Sequence, residues 1–147
     1  MELKTKYFGT VSYAEDETVY FSEGLFGFEH YKDYLPIAFQ DGDDAMILLQ
    51  SITEEHIAFI LVNPFYLLED YNPVLLTSDK KAIGSPKDED ISYYVICTLK
   101  DDASKSTVNL KCPIIVNAHT RCAKQVILDS SVYQFRHALE SITKKED

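Results

Sequence analysis

Thr107–Leu128, TVNLKCPIIVNAHTRCAKQVIL, is the stretch that decides the fold. Val108, Leu110 and Cys112 alternate with Asn109 and Lys111, the period of a strand with one buried face. Ile114, Ile115 and Val116 then run together, as in a strand covered on both faces. Pro113 cannot donate to a ladder, so it marks an edge position or a bulge between the two patterns. Asn117-Ala118-His119-Thr120-Arg121 is short and polar, and Val126-Ile127-Leu128 resumes the apolar run. The pattern predicts a hairpin. Nothing in it has the arrangement of a catalytic centre.

Working outward, the chain repeats this strand chemistry. Towards the N-terminus, Leu3–Tyr13 and Thr18–Phe21 read as strands on either side of the acidic turn Glu15-Asp16-Glu17. In SEGLFGFEHY (22–31), Gly24 and Gly27 point to backbone that other residues adopt only with strain. Leu25, Phe26 and Phe28 are expected to plug the core from this loop. Glu29–Leu35 reads as a helical turn stopped by Pro36, with a short strand over Ile37–Phe39. Ala45–Ile52 and Ile57–Val62 read as two further strands, joined through Thr53-Glu54-Glu55-His56. Asn63-Pro64 has the chemistry of a helix start: a capping side chain, then a residue whose missing N–H is not needed. A second helix is expected over Thr77–Ile83, capped by Thr77 or Ser78 and stopped at Gly84. After a polar loop over Ser85–Asp90, Ile91–Leu99 is a strong strand. A last helix is expected from Asp129, capped by Ser130 or Ser131.

Nine or ten short strands at close spacing predict a mainly β chain. The expected form is a small antiparallel β-barrel or sandwich-like pseudobarrel with one to three short helices, as a single domain over residues 1–147. A chain of 147 residues can bury a core without disulfides or metal. Ten Tyr and eight Phe, with no Trp, suit strands.

The net charge is −10 and unevenly spread: residues 13–90 carry 17 acidic and 4 basic side chains, the remainder 7 and 10. Such a field repels nucleic acid and anionic membrane and favours encounter with a basic protein. It also serves simple solubility. MELKTKYFG has no apolar signal region, and the longest apolar run, Ile57–Val62, is too short to span a bilayer. Cys97, Cys112 and Cys122 are odd in number and lack CxxC spacing, which points to a reducing, cytoplasmic setting and core packing.

The residue supply does not favour an enzyme. His30, His56, His119 and His137 have no metal-ligand spacing among themselves or with cysteine. His119 reads as a solvated turn residue. P-loop, dinucleotide and nucleophile-elbow patterns are missing. Asp41, Asp43 and Asp44 are spaced like a calcium loop, but Ile52 stands where the bidentate Glu belongs. No cofactor and no metal are expected.

Three blocks resemble the flagellar assembly factor FliW family: SEGLFGFEHY (22–31), IAFILVNPF (57–65) and the opening stretch, which is similar to T-V-N-L-x-A-P-I-V-I-N-x-x-x-R-x-G-x-Q-V-V-L. Ser22 stands for the usual Pro, Cys112 for Ala and Ala123 for Gly. The resemblance implies a cytosolic binding protein. It would hold flagellin and, once released, bind and antagonise CsrA, an RNA-binding translational repressor. Antagonism by coupling from a site beside the RNA site is favoured over direct mimicry of RNA phosphates. The expected partner-binding side chains are acidic and aromatic: Asp41, Asp43, Asp44, Glu69, Asp70 and Tyr71. The alternative is a ligand-binding β-barrel with an apolar pocket.

Overall fold

A computed structural model of the chain describes residues 1–39, 45–102 and 105–139. Its strands are β1 (Glu2–Lys4), β2 (Thr10–Ser12), β3 (Val19–Phe21), β4 (Asp33–Ala38), β5 (Met46–Ser51) and β6 (Ala58–Val62). They continue with β7 (Ile91–Thr98), β8 (Thr107–Val108), β9 (Ile114–Asn117), β10 (Cys122–Gln125) and β11 (His137–Ala138). The helices are α1 (Pro64–Leu67) and α2 (Thr77–Ala82), with single 3-10 turns at Glu15–Glu17 and Asp88–Asp90.

Strands β7-β6-β5-β4-β3-β10-β9 are hydrogen-bonded in that order, and β9 pairs back onto β7. The result is a closed seven-strand barrel, one of the two forms expected from short strands at close spacing. Closure gives each of the seven strands a neighbour on both sides, though the β3–β4 pairing is short. All its pairs are antiparallel except β10 with β3, which runs parallel through Cys122↔Tyr20 and Ala123↔Phe21. Strands β8 and β11 extend the sheet outside the ring, and β1 and β2 form a separate hairpin.

Alternation sorts the side chains into two cores. Val19, Phe21, Tyr34, Ile47, Leu49, Leu61, Ile114 and Ala123 point into the barrel, joined by Leu25. The opposite faces of β6, β7 and β9 carry Val62, Val95, Cys97 and Ile115 into an outer core, closed by Tyr71, Ile83, Leu128 and Tyr133. This explains the unbroken apolar run of β9: Ile114 faces one core and Ile115 the other, and both are fully buried.

Several expectations are corrected. Glu29–Leu35 is not helical: Asp33–Ala38 is one strand that includes Pro36. Strand β3 pairs with β4 only at Asp33 and Tyr34, so the rest of that edge of β4 is unbonded and tolerates a residue without an N–H. Leu25 plugs the core, but Phe26 and Phe28 are exposed. The strand expected over Leu3–Tyr13 is broken into a hairpin, because Thr5 Oγ1 donates to Gly9 O and accepts from Phe8 N. Val108–Cys112 is strand only at Val108, where β8 ends. The Asn109 side chain accepts from Cys112 N and turns the chain, while Leu110 and Cys112 stay buried. No helix occupies Asp129–Ala138. Ser130 Oγ accepts from Val132 N and Tyr133 N, cap-like chemistry spent on a turn. Helix α2 takes its cap position at Leu76, without a side-chain bond, rather than at Thr77 or Ser78. Its stop at Gly84 is as expected, with φ +92°.

Two buried tyrosines make contrasting demands. Tyr71 Oη donates to the Leu110 carbonyl at 2.7 Å. The Tyr34 hydroxyl is buried and has no partner among the described residues, and burial, with Tyr31 nearby, pushes its pKa up to about 12. Tyr71→Phe is therefore expected to lower stability by about 1–2 kcal/mol, since it orphans a buried carbonyl. Tyr34→Phe is expected to be neutral or to raise stability by about 1 kcal/mol. Urea unfolding midpoints at constant m-value measure both.

Candidate partner-binding surface

The turn at residues 117–121 shows what the sequence blocks do locally. Asn117 Oδ1 accepts from His119 N and Thr120 N, and Asn117 Nδ2 donates to Ile83 O at 2.8 Å, tying the turn to the end of α2. Arg121 sits at φ +62° and donates to Thr18 O through Nε and to Glu17 O through Nη2. The first block is tied to the third in the same way, because Phe26 N donates to Gln125 Oε1 at 2.9 Å. Asn63 caps α1 as its sequence predicts, accepting from Phe65 N. The side chains that define these three blocks thus hold backbone in place.

The expected partner-facing residues divide three ways. Asp41, Asp43 and Asp44 lie outside the described residues. Glu69 and Asp70 are exposed in the turn after α1. Tyr71 is corrected: it is 4% exposed, its ring packs on Tyr133 and Phe65, and it belongs to the outer core. Its sequence neighbours are charged or polar, so only the long-range packing reveals that the ring turns inward.

Sequence reasoning missed the apolar side chains that the fold leaves outside. Tyr66, Val74, Leu76, Val132 and Phe135 are each more than half exposed. Val74 and Val132 line a groove of about 250 Å³ together with Asn72, Leu128, Asp129 and Tyr133. Asp129 is its acidic lining residue, so an apolar floor meets one carboxylate in the wall. A second groove, about 480 Å³, lies against β6 and β7 and is lined also by Tyr7, Phe39 and Leu99. Exposed apolar patches rimmed by charge are typical of protein-docking surfaces. No period betrays them, because Val74, Leu76, Val132 and Phe135 sit in irregular chain and Tyr66 in a helix of a single turn.

The remaining candidates have structural partners. His119 is exposed and its Nε2 lies 3.2 Å from Asp90 Oδ1. The three cysteines are free, and burial pushes the Cys97 and Cys112 thiols up, away from the reactive thiolate. Among the described residues no group of three or more His, Cys, Asp or Glu could hold a metal ion, and no helix is long and apolar enough to cross a membrane.

Comparison with known proteins agrees with the three blocks. The family model described as FliW protein matches residues 2–139. The flagellar assembly factor FliW of Lachnospira eligens is 37% identical over 150 residues, covering 100% of this chain and 99% of that protein. The protein of the same name from Ruminiclostridium cellulolyticum is 35% identical over 147 residues, covering 100% of this chain and 99% of its own. A crystal structure of the flagellar assembly factor FliW superposes with a TM-score of 0.88 at 31% identity, over 95% of this chain and 96% of that one. With full-length relatives, a shared barrel and the blocks that pin its turns, the chain belongs to the FliW family of flagellar assembly factors.

Proposed function

We propose that this protein acts by occupying the surfaces of other proteins in the cytosol, without making or breaking bonds. Flagellin is one partner. The other is CsrA, which the protein engages once flagellin has left. Two partners drawing on one pool make the switch by mass action. The observation that carries this reading is the apolar groove between Asn72–Val74 and Leu128–Tyr133, with Asp129 in its wall, on a chain of net charge −10. Apolar floor supplies affinity, and the acidity of the chain steers a basic partner such as CsrA. The acidic residues Asp41, Asp43 and Asp44 join the same proposal through their charge. CsrA would be antagonised by coupling from a site beside its RNA-binding surface.

Pull-down with flagellin and CsrA, separately and together, tests the partners. Capture of neither would end the proposal. Charge reversal tests the surface: Glu69→Lys with Asp70→Lys, or Asp43→Lys with Asp44→Lys, is expected to slow CsrA association about tenfold and to flatten its salt dependence. Unchanged rates in both pairs would remove the acidic surface from the interface. Coupling also predicts that the protein speeds dissociation of RNA already bound to CsrA, whereas an unchanged dissociation rate supports competition.

A further inference from the structure

The barrel interior is packed unevenly. Aromatic rings crowd one part of it, where Tyr34 meets Phe21 edge to face at 5.3 Å and Phe59 at 6.2 Å. Elsewhere the inward positions are held by Pro36 on β4 and Ser92 on β7, which are too small to fill the space between Ile47, Leu61 and Ile114. A cavity of about 160 Å³ remains. It reaches the surface past Ala118, which is exposed, and past half-buried Ser92 and Val116. Apolar cavities of about 150 Å³ take up guests the size of benzene.

Arg121 stands at the same mouth. Two of its N–H groups are held by the Thr18 and Glu17 carbonyls, at 3.1 and 2.8 Å, which fixes the guanidinium in place. Neither carbonyl carries a formal charge, and no carboxylate among the described residues pairs with it. In a chain of net charge −10, a fixed cation without a carboxylate partner among the described residues, beside a largely apolar cavity, is a local exception. Guanidinium recognises carboxylate through charge-assisted hydrogen bonds.

We infer that the barrel holds a small monocarboxylate whose apolar body is about the size of a benzene ring. The body enters between Ile47, Leu61 and Ile114, and the carboxylate meets Arg121 at the mouth. This site is separate from the partner-binding grooves and does not depend on them.

Titration of the ¹⁵N-labelled protein with benzoate and with 3-methylbutanoate tests it, with benzyl alcohol as the neutral comparison. The expected result is saturable shifts at the amides of Ser92, Val116 and Ala118, with benzoate at least about tenfold tighter than benzyl alcohol. Arg121→Gln should abolish that preference and Arg121→Lys should keep part of it. Val116→Phe fills the cavity without touching Arg121 and should abolish binding of both. Ser92→Leu fills the same space from β7 and serves if Val116→Phe does not give a folded spectrum. Absence of saturable shifts, shifts confined to other regions, equal affinity for the alcohol, or unaltered benzoate affinity in Arg121→Gln would each overturn the inference.

Discussion

Gly24→Ala is expected to lower stability by about 3 kcal/mol or more, the largest effect among alanine substitutions at the described glycines. Gly24 lies at φ +68°, and a Cβ built there would stand 2.6 Å from Glu29 Cα and 2.8 Å from Glu29 O. Those are backbone atoms, so no rotamer change relieves the overlap. The loop itself would have to open, and it carries Leu25 into the barrel core. Gly27 is the internal control. It also has positive φ, +85°, but nothing lies within 4 Å of its would-be Cβ. Gly27→Ala should therefore cost only the backbone strain, about 1–2 kcal/mol. Urea denaturation of both variants reads the difference. Equal effects would mean that close approach to Glu29 does not govern the loop.

The second large effect concerns Lys124. Its ammonium lies 2.9 Å from Asp79 and 3.4 Å from Glu23, and Asp79 is mostly buried on α2. Lys124→Met leaves the Asp79 carboxylate in place without its partner, at a cost of about 3 kcal/mol. The double variant Lys124→Met with Asp79→Leu should be more stable than Lys124→Met alone, because it removes the orphaned charge along with the ion pair. If the second substitution adds a further loss, the pair does not act as a unit.

The same pair sets a pH dependence. The hydrogen bond that Lys124 donates to Asp79 is the chief cause holding the Lys124 pKa above 10.5 in the folded chain. Its contribution is complete below the value of an unfolded lysine and is lost as pH rises through the folded one. Buried Tyr34 acts in the same direction. It resists ionisation until about pH 12 when folded, against 10.0 when free, so unfolding gains from its ionisation across that interval. Stability should thus fall between about pH 10 and pH 12. Lys124→Met and Tyr34→Phe should each make the decline shallower.

The parts of this architecture legible in sequence are those where one period or one cap decides. Ile57–Val62 and Ile91–Leu99 carry enough β-branched and aromatic residues to declare strands, and Asn63-Pro64 declares a helix start. Pro36 misleads because a proline is read as a stop, whereas the edge it occupies has already lost its neighbour. Asn109 and Ser130 mislead in opposite ways. Each offers side-chain bonds to nearby N–H groups, which end a strand in one case and form a turn instead of a helix in the other. Glu69 and Asp70 are legible as charge and stand exposed, while the apolar side chains of the candidate surface have no local signature. Val74 and Val132 are brought to one groove by the return of residues 126–134 along the barrel, a long-range pairing that no local pattern contains.

The lone parallel seam between β3 and β10 sets a timetable for the newborn chain. Tyr20 finds its partner at Cys122, about a hundred residues later. Until then β3 has β4 on one flank and nothing on the other, an open ledge to which a stray strand could attach. Closing a loop of that span before reward arrives is slow, so the ring should shut in milliseconds to seconds rather than microseconds. Whatever shelters that ledge during synthesis decides how much of each batch matures and how much clumps.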